Sequence, residues 1–292
     1  MSRRRVSRST WDIYVRRFHT ERPGIAEAVL ARCRHNDQTP YQWLTDALSS
    51  EPTVIDLACG SAPTRRHLGP GWVGIDTSTD ELAAAGPETA GRVAAEDVTR
   101  LPFRDRGFDQ AVCSMALMVV DPLPKALAEI HRVLRPGAEV RILLPTSGPL
   151  TVADRCRYVR LAVALGTTHL FPPTPLTNST EMPLHRAGLT LLSDERGRFA
   201  YRIESSDDAG LLIDSLYSPP TVGTTNRRSP QGRIAMARRR TRHPTATHHR
   251  HCRAVLASAR GCRYAPVPLP RLEDRSQLVE ILAVARVASL HP

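Results

Sequence analysis

Val54-Ile55-Asp56-Leu57-Ala58-Cys59-Gly60-Ser61-Ala62-Pro63 decides how this chain of 292 residues is read. Thr53 to Leu57 is a short β-prone run closed by an acid, and Gly60 lets the backbone turn tightly and approach a ligand with no Cβ in the way. Pro63 suits the first position of a following helix, whose free N–H groups would point back to the turn and favour an anionic or zwitterionic ligand. The pattern then recurs. Trp72-Val73-Gly74-Ile75-Asp76 puts a second acid 20 positions after Asp56, and Arg92-Val93-Ala94-Ala95-Glu96-Asp97 puts a third 21 positions after that. Acids that each close an apolar run look like the C-terminal tips of adjacent parallel strands facing one crevice.

Ser78 and Glu81 have the spacing of a helix-starting capping box. Asp76 is placed to accept both hydroxyls of a ribose, and Asp97 an adenine amino group with Val98 beside the ring. Phe108–Met115 and Glu139–Leu144 read as further strands, bracketing a helix with Asp121 as N-cap, Pro122 in its first turn and Gly137 past its end. Leu123, Leu127, Ile130 and Leu134 share the face that covers the sheet.

Five ordered segments resemble the motifs of class I S-adenosylmethionine-dependent methyltransferases. They are Asp56-Leu-Ala-Cys-Gly-Ser-Ala, Gly74-Ile-Asp-Thr-Ser, Ala95-Glu-Asp-Val-Thr-Arg-Leu-Pro-Phe, Phe108-Asp-Gln-Ala-Val-Cys-Ser and Glu129-Ile-His-Arg-Val-Leu-Arg-Pro-Gly. The branch most resembled is that of the ubiquinone and menaquinone methyltransferases, over residues 50–145. The resemblance implies an α/β, Rossmann-like, doubly wound and mostly parallel seven-stranded sheet, with an N-terminal helical lid and a helical insertion after strand five. It implies S-adenosyl-L-methionine as cofactor. Asp56, Ala58, Cys59 and Gly60 would hold its methionine end, Asp76 and Thr77 its ribose, Asp97 and Val98 its adenine, and Ser114 and Met115 would edge the transfer site. Ala58 and Ala62 stand where the family usually has glycine, and the methyl of Ala62 is expected close to the cofactor's path.

A nicotinamide-dependent oxidoreductase uses similar topology, but its Gly-x-Gly-x-x-Gly fingerprint is reduced here to Gly60. A binding or scaffold protein that keeps the cofactor fold without turnover is the non-enzymatic alternative. No Asn/Asp-Pro-Pro-Tyr/Phe element follows the fourth strand; Ser114-Met-Ala-Leu-Met is apolar, which favours a small, partly apolar acceptor methylated at carbon or oxygen. Transfer from an activated sulfonium asks chiefly for positioning and exclusion of water. His19, His131, His169 and His185 are the histidines to inspect as bases, and none is assigned.

Composition is ordinary for a globular protein, 41% hydrophobic and 24% charged, and no apolar run has the length of a membrane span. The arginine-rich start, Met1–Arg8, is followed by no apolar stretch and does not read as a secretory signal, so a cytoplasmic enzyme is expected. The net charge of +11 is local: no acid lies between Asp214 and Glu273, and residues 215–263 hold 11 arginines. Removing those 11 from the 40 basic residues leaves 29 against 29 acids, which argues against nucleic-acid binding by the body. The segment Asn226–Arg263 stays open between a disordered basic linker, an RNA- or phosphate-binding arm, a metal site at His248, His249, His251 and Cys252, and a stretch without selected function. The six cysteines form no CxxC pair and no disulfide is assigned.

The expected organisation is an N-terminal helical lid over 1–49, with Trp11, Tyr14 and Phe18 along one stripe; a cofactor-binding core with an acceptor-side insertion over 50–216; the basic segment over 217–265; and a strand returning to the core within 266–292. Helices are expected at Thr10–His19, Ile25–Arg34, Tyr41–Leu48, Leu150–Leu165 and Ser179–Ala187, a rigid loop at Phe171-Pro-Pro-Thr-Pro, a strand or hairpin at Leu189–Ile203 and a last strand at Gln277–Val287.

Overall fold

A computed structural model describes residues 8–46, 48, 53–145, 151–152, 154–156, 159, 181–217 and 279–291. All belong to one compact unit, Met1–Thr224 with Val279–Pro292. The expectations for the Asn226–Arg263 segment, for the Phe171 loop and for most of the Leu150–Leu165 helix lie outside the described residues. Among the described residues no helix is long and apolar enough to cross a membrane.

Five parallel strands carry the fold: β1 (Val54–Leu57), β2 (Trp72–Asp76), β3 (Val93–Ala95), β4 (Phe108–Ser114) and β5 (Leu134–Pro145), in the order β3-β2-β1-β4-β5. β6 (Thr190–Ile203) and β7 (Val279–His291) continue beyond β5, with β7 antiparallel to both β5 and β6. The chain order reverses between β1 and β4, and a doubly wound sheet opens a ligand crevice at such a point, outside the carboxyl ends of its strands.

All four residues of β1 are buried, because the sheet is covered on both faces. Side chains alternate along a strand, so Ile55 and Leu57 enter one core while Val54 enters the other. The first core is closed by α5 (Leu123–Val133), whose Leu123, Ala126, Leu127, Ile130 and Val133 form one continuous buried stripe. At about 1.5–3 kcal/mol for each large apolar side chain, that stripe outweighs the helix's weak start, where Pro122 offers no capping side chain. The second core takes Phe199 and Tyr201 of β6 and Leu44 of α3 (Pro40–Thr45). α1 (Arg8–Glu21) and α2 (Ile25–Leu30) precede α3, whose Thr39 and Gln42 form a complete capping box, and α4 (Thr79–Ala84) follows β2.

Several boundaries differ from expectation, each for a local reason. The segment after β1 is a five-residue 3-10 turn, Pro63–His67, so no long helix aims its N-terminus at the crevice. Ala62 ahead of it is left-handed (φ 54°), which spends the entry in a tight turn. α5 passes into β5 with no intervening loop, and Gly137 lies inside the strand. Its φ of 82° serves an irregularity at which the register with β4 jumps from Phe108–Leu134 to Gln110–Glu139. Leu189–Ile203 resolves as one long strand, and the Ser179–Ala187 expectation as α6 (Glu181–Arg186). α7 (Ser206–Ser215), capped by Ser205 and Asp208, was not anticipated.

Candidate functional site

A cavity of about 530 Å³ opens over the switch point and takes its walls from Ala58–Gly60, Asp76–Glu81, Glu96–Thr99 and Ser114–Ala116, together with His19, Glu27, Tyr41 and Tyr217. Of the residues singled out from the sequence, Ala58, Cys59, Gly60, Asp76, Thr77, Asp97, Val98, Ser114 and Met115 all line it. Asp56 does not. It shares the strand face of Val54, lies fully buried beneath the turn, and accepts a hydrogen bond from Thr64. Burial pushes its carboxyl up to about 7 against the pull of the Thr64 hydroxyl. The three acids are therefore not equivalent: two face the crevice and the first supports the turn.

The turn itself is strained. Ala58 has φ 53° and, across the crevice at the end of β4, Met115 has φ 58°. Left-handed backbone costs an L-residue roughly 1–2 kcal/mol, and such outliers gather where a site fixes the chain. Gly60 suits the turn by its left-handed backbone (φ 54°), and Glu27 Oε1 lies where a Cβ there would stand. At Gly74 a Cβ would come within 2.8 Å of Cys59 Sγ and 2.9 Å of the Trp72 ring, so glycine lets the turn settle on β2. The Ala62 methyl points away from the cavity and packs with Trp72 and Ala85. Ala62, expected close to the cofactor's path, is not on the cavity wall.

Asp76 binds the turn as well as facing the cavity. The Gly60 N–H donates to its Oδ2 and the Ser78 N–H to its Oδ1, each at 2.8 Å. Burial raises its pKa despite those two donors and His19 nearby, and each oxygen keeps a lone pair for a ligand hydroxyl. Asp97 accepts from the Thr99 N–H at 2.8 Å, the bond of a turn acid, while lining the crevice beside Val98.

A cluster that sequence reasoning missed closes the cavity. Glu81 is not the second half of a capping box: its backbone N–H donates to Ser78, but its side chain turns away. There it accepts from the Gly24 N–H at 2.7 Å and pairs with His19 Nδ1 at 2.6 Å, while His19 Nε2 meets the Tyr217 hydroxyl at 2.9 Å. Burial works against charge on His19, yet the Glu81 bond and the charges of Glu81, Glu27 and Asp76 raise its pKa overall. Glu27, four residues after Pro23 on α2, is driven up to about 7 by burial and by the Glu81 charge. Its Oε2 and the Tyr41 hydroxyl are buried without a hydrogen-bond partner among the described residues. Only the opened capping spacing at Ser78 and Glu81 carried any sign of this cluster. His131 packs against Gly188, His185 lies on α6, and His169 is outside the described residues.

The last sequence motif holds the loop that follows Asp97. Arg132 spans the Glu129 carboxylate, Asp105 and the carbonyls of Leu101 and Phe103, at 2.7–2.9 Å, and Glu129 in turn accepts from the Leu101 N–H. Glu129 and Arg132 thus tie α5 to Leu101-Pro102-Phe103, which follows Asp97.

Comparison with known proteins agrees with this arrangement. Residues 55–142 match the family model described as a methyltransferase domain. A 2-phytyl-1,4-naphtoquinone methyltransferase of Nostoc punctiforme is 38% identical over 110 residues, 33% of this chain and 48% of that protein. A demethylmenaquinone methyltransferase of Mycolicibacterium gilvum is 37% identical over 126 residues, 41% and 55%. A malonyl-[acyl-carrier protein] O-methyltransferase of Pectobacterium atrosepticum is 30% identical over 102 residues, 34% and 40%. The chain spans about half the length of the curated relatives it matches. A Bacillus halodurans protein solved as a candidate methyltransferase superposes with a TM-score of 0.50 at 16% identity, covering 86% of this chain and 97% of that one, a likeness of fold. Residues 55–142, which carry the turn after β1 and the tips of β2, β3 and β4, are thus the part of the chain that resembles a methyltransferase domain.

Proposed function

We propose that this chain transfers the methyl group of S-adenosyl-L-methionine to a small, partly apolar acceptor, at carbon or oxygen. The observation that carries the reading is the joint placement of Gly60, Asp76 and Asp97 on one crevice within a methyltransferase domain. The residues present fit the cofactor. The cavity lies within the ~300–1,000 Å³ typical of small-molecule sites, Asp76 retains acceptor capacity for two ribose hydroxyls, and Asp97 faces the same space beside apolar Val98. When bound, the cofactor supplies an already activated methyl group. What remains for the protein is to hold the acceptor in line and keep water out, for which Met115, Ala116, Val119 and Val120 offer an apolar wall. Relatives named for a naphthoquinone, a menaquinone precursor and malonyl-[acyl-carrier protein] favour carbon or oxygen as the receiving atom.

The finer architecture belongs to the same proposal. β7 and β6 bring the sheet to seven strands, and α1 to α3 act as a lid over residues 1–49. Trp11 and Phe18 are buried and Tyr14 packs on the core beside them, so the aromatic stripe anchors the lid while His19 and Glu27 reach the cavity. The division into a core over 50–216, a basic segment over 217–265 and a returning strand within 266–292 follows, as does a cytoplasmic location. On the same reading, any contact with nucleic acid is confined to the 226–263 segment.

Titration calorimetry with S-adenosylhomocysteine, the demethylated product, tests the site. Asp76→Ala and Asp97→Ala should each weaken binding by about 1–3 kcal/mol, the range for stranding polar partners. Unchanged affinity in both variants would overturn the assignment. Transfer of labelled methyl into small molecules of a cell extract separates an enzyme from a scaffold, and binding of a nicotinamide cofactor instead would restore the oxidoreductase reading.

A further inference from the structure

We propose, resting on the cofactor reading above, that the helices ahead of the methyltransferase domain build a receptor for the amino-acid head of the cofactor. In it Glu27 of α2 takes the ammonium and Tyr41 of α3 donates to the carboxylate.

Two polar atoms on the cavity wall lack partners among the described residues, Glu27 Oε2 and Tyr41 Oη, and both are buried. Stranding such atoms is costly, so a folded protein rarely keeps two in one wall unless something that binds there satisfies them. Their chemistry is complementary to a zwitterion. A carboxylate accepts only, and an unpaired phenol O–H seeks an acceptor. Charge points the same way: His19 is hydrogen-bonded to Glu81, which leaves Glu27 beside a second acid with no ion pair of its own among the described residues.

Position supplies the rest. Asp97 and Asp76 occupy successive strand tips, the Gly60 N–H is bonded to Asp76, and Glu27 Oε1 lies directly over Gly60. A ligand with adenine at Asp97 and ribose at Asp76 therefore runs on past Gly60 into Glu27 and Tyr41. Asp56, the acid the sequence suggested for this end, is beneath the turn and off the cavity wall.

The test compares S-adenosylhomocysteine with 5′-methylthioadenosine, which keeps the nucleoside and lacks the amino acid. In calorimetric titrations of the full chain, Glu27→Gln should weaken S-adenosylhomocysteine at least tenfold and leave methylthioadenosine within twofold. Tyr41→Phe should weaken S-adenosylhomocysteine by threefold or more with the same selectivity. Retained methylthioadenosine affinity serves as the folding control, and if Glu27→Gln binds neither ligand, Tyr41→Phe decides. Wild type binding both ligands, with neither substitution discriminating between them, overturns this inference alone. Wild type binding neither overturns the cofactor reading and the receptor with it.

Discussion

Replacing Glu81 by alanine probes the joint between the N-terminal helices and the methyltransferase domain. The side chain is 2% exposed and holds two groups on the other side of that joint, the Gly24 N–H at 2.7 Å and His19 at 2.6 Å. Removing it strands a backbone donor bonded to a charge, about 1.5–3 kcal/mol. It also breaks an ion pair whose histidine is 22% exposed, so water recovers part of the fully buried cost of roughly 3–5 kcal/mol. Relief of repulsion between Glu81 and Glu27 acts in the opposite sense. The net expectation is a loss of about 2–4 kcal/mol in urea unfolding at constant m-value. Glu81→Gln keeps an acceptor for Gly24 and should lose only about 1 kcal/mol. In both variants the His19 pKa, followed by imidazole NMR, should fall, because burial then acts with less opposition. Stability of Glu81→Ala within about 0.5 kcal/mol of wild type, the range of ordinary surface changes, would refute the reasoning. An unmoved His19 pKa would do the same.

Glu27 and Asp56 both have carboxyls raised to about 7, so between their unfolded values near 4 and pH 7 the folded chain holds more protons than the unfolded one. Unfolding free energy should therefore fall as pH rises through that window, and the raised His19 pKa adds a loss of the same sign as pH climbs through it. Glu27→Gln should flatten the profile by at most about 3 kcal/mol; a profile rising from pH 5 to 7 contradicts the assignment. Ala58→Gly should stabilise the chain by about 0.5–1 kcal/mol in the same unfolding assay, the relieved left-handed strain less the added freedom of the unfolded chain. Arg132→Lys cannot reproduce a fork that reaches two carboxylates and two carbonyls; with 30% of the side chain exposed, it should cost about 1–3 kcal/mol. Limited proteolysis should then show earlier cleavage in the Leu101–Asp105 loop.

The parallel sheet was legible because each strand announces itself locally, with an apolar run, an acid or polar residue at its tip, and a turn. The placement of Asp76 and Asp97 on one crevice was legible for the same reason, since they occupy equivalent places on neighbouring strands. Asp56 follows the same sequence pattern yet differs in role. Alternation put it on the Val54 face, and the chain bent away one residue later at Ala58. No one-dimensional pattern records which side of a turn an acid ends on. The helix expected after Pro63 fell short because Ala62 adopts a left-handed conformation, which alanine does not advertise.

His19, Glu27, Tyr41, Glu81 and Tyr217 were illegible as a group for a different reason. They come from five separate places in the chain and meet only through packing, and each one alone looks like an ordinary surface or core residue. Their meeting nevertheless has a physical signature that sequence cannot carry: acids brought together with too few cations, and polar atoms buried without partners. A fold tolerates such a deficit where the missing charge arrives with a ligand. On the proposed reading, the motifs of residues 55–142 hold the nucleoside end of the cofactor and the helices ahead of them the other end, and Glu81 ties the two together through Gly24 and His19.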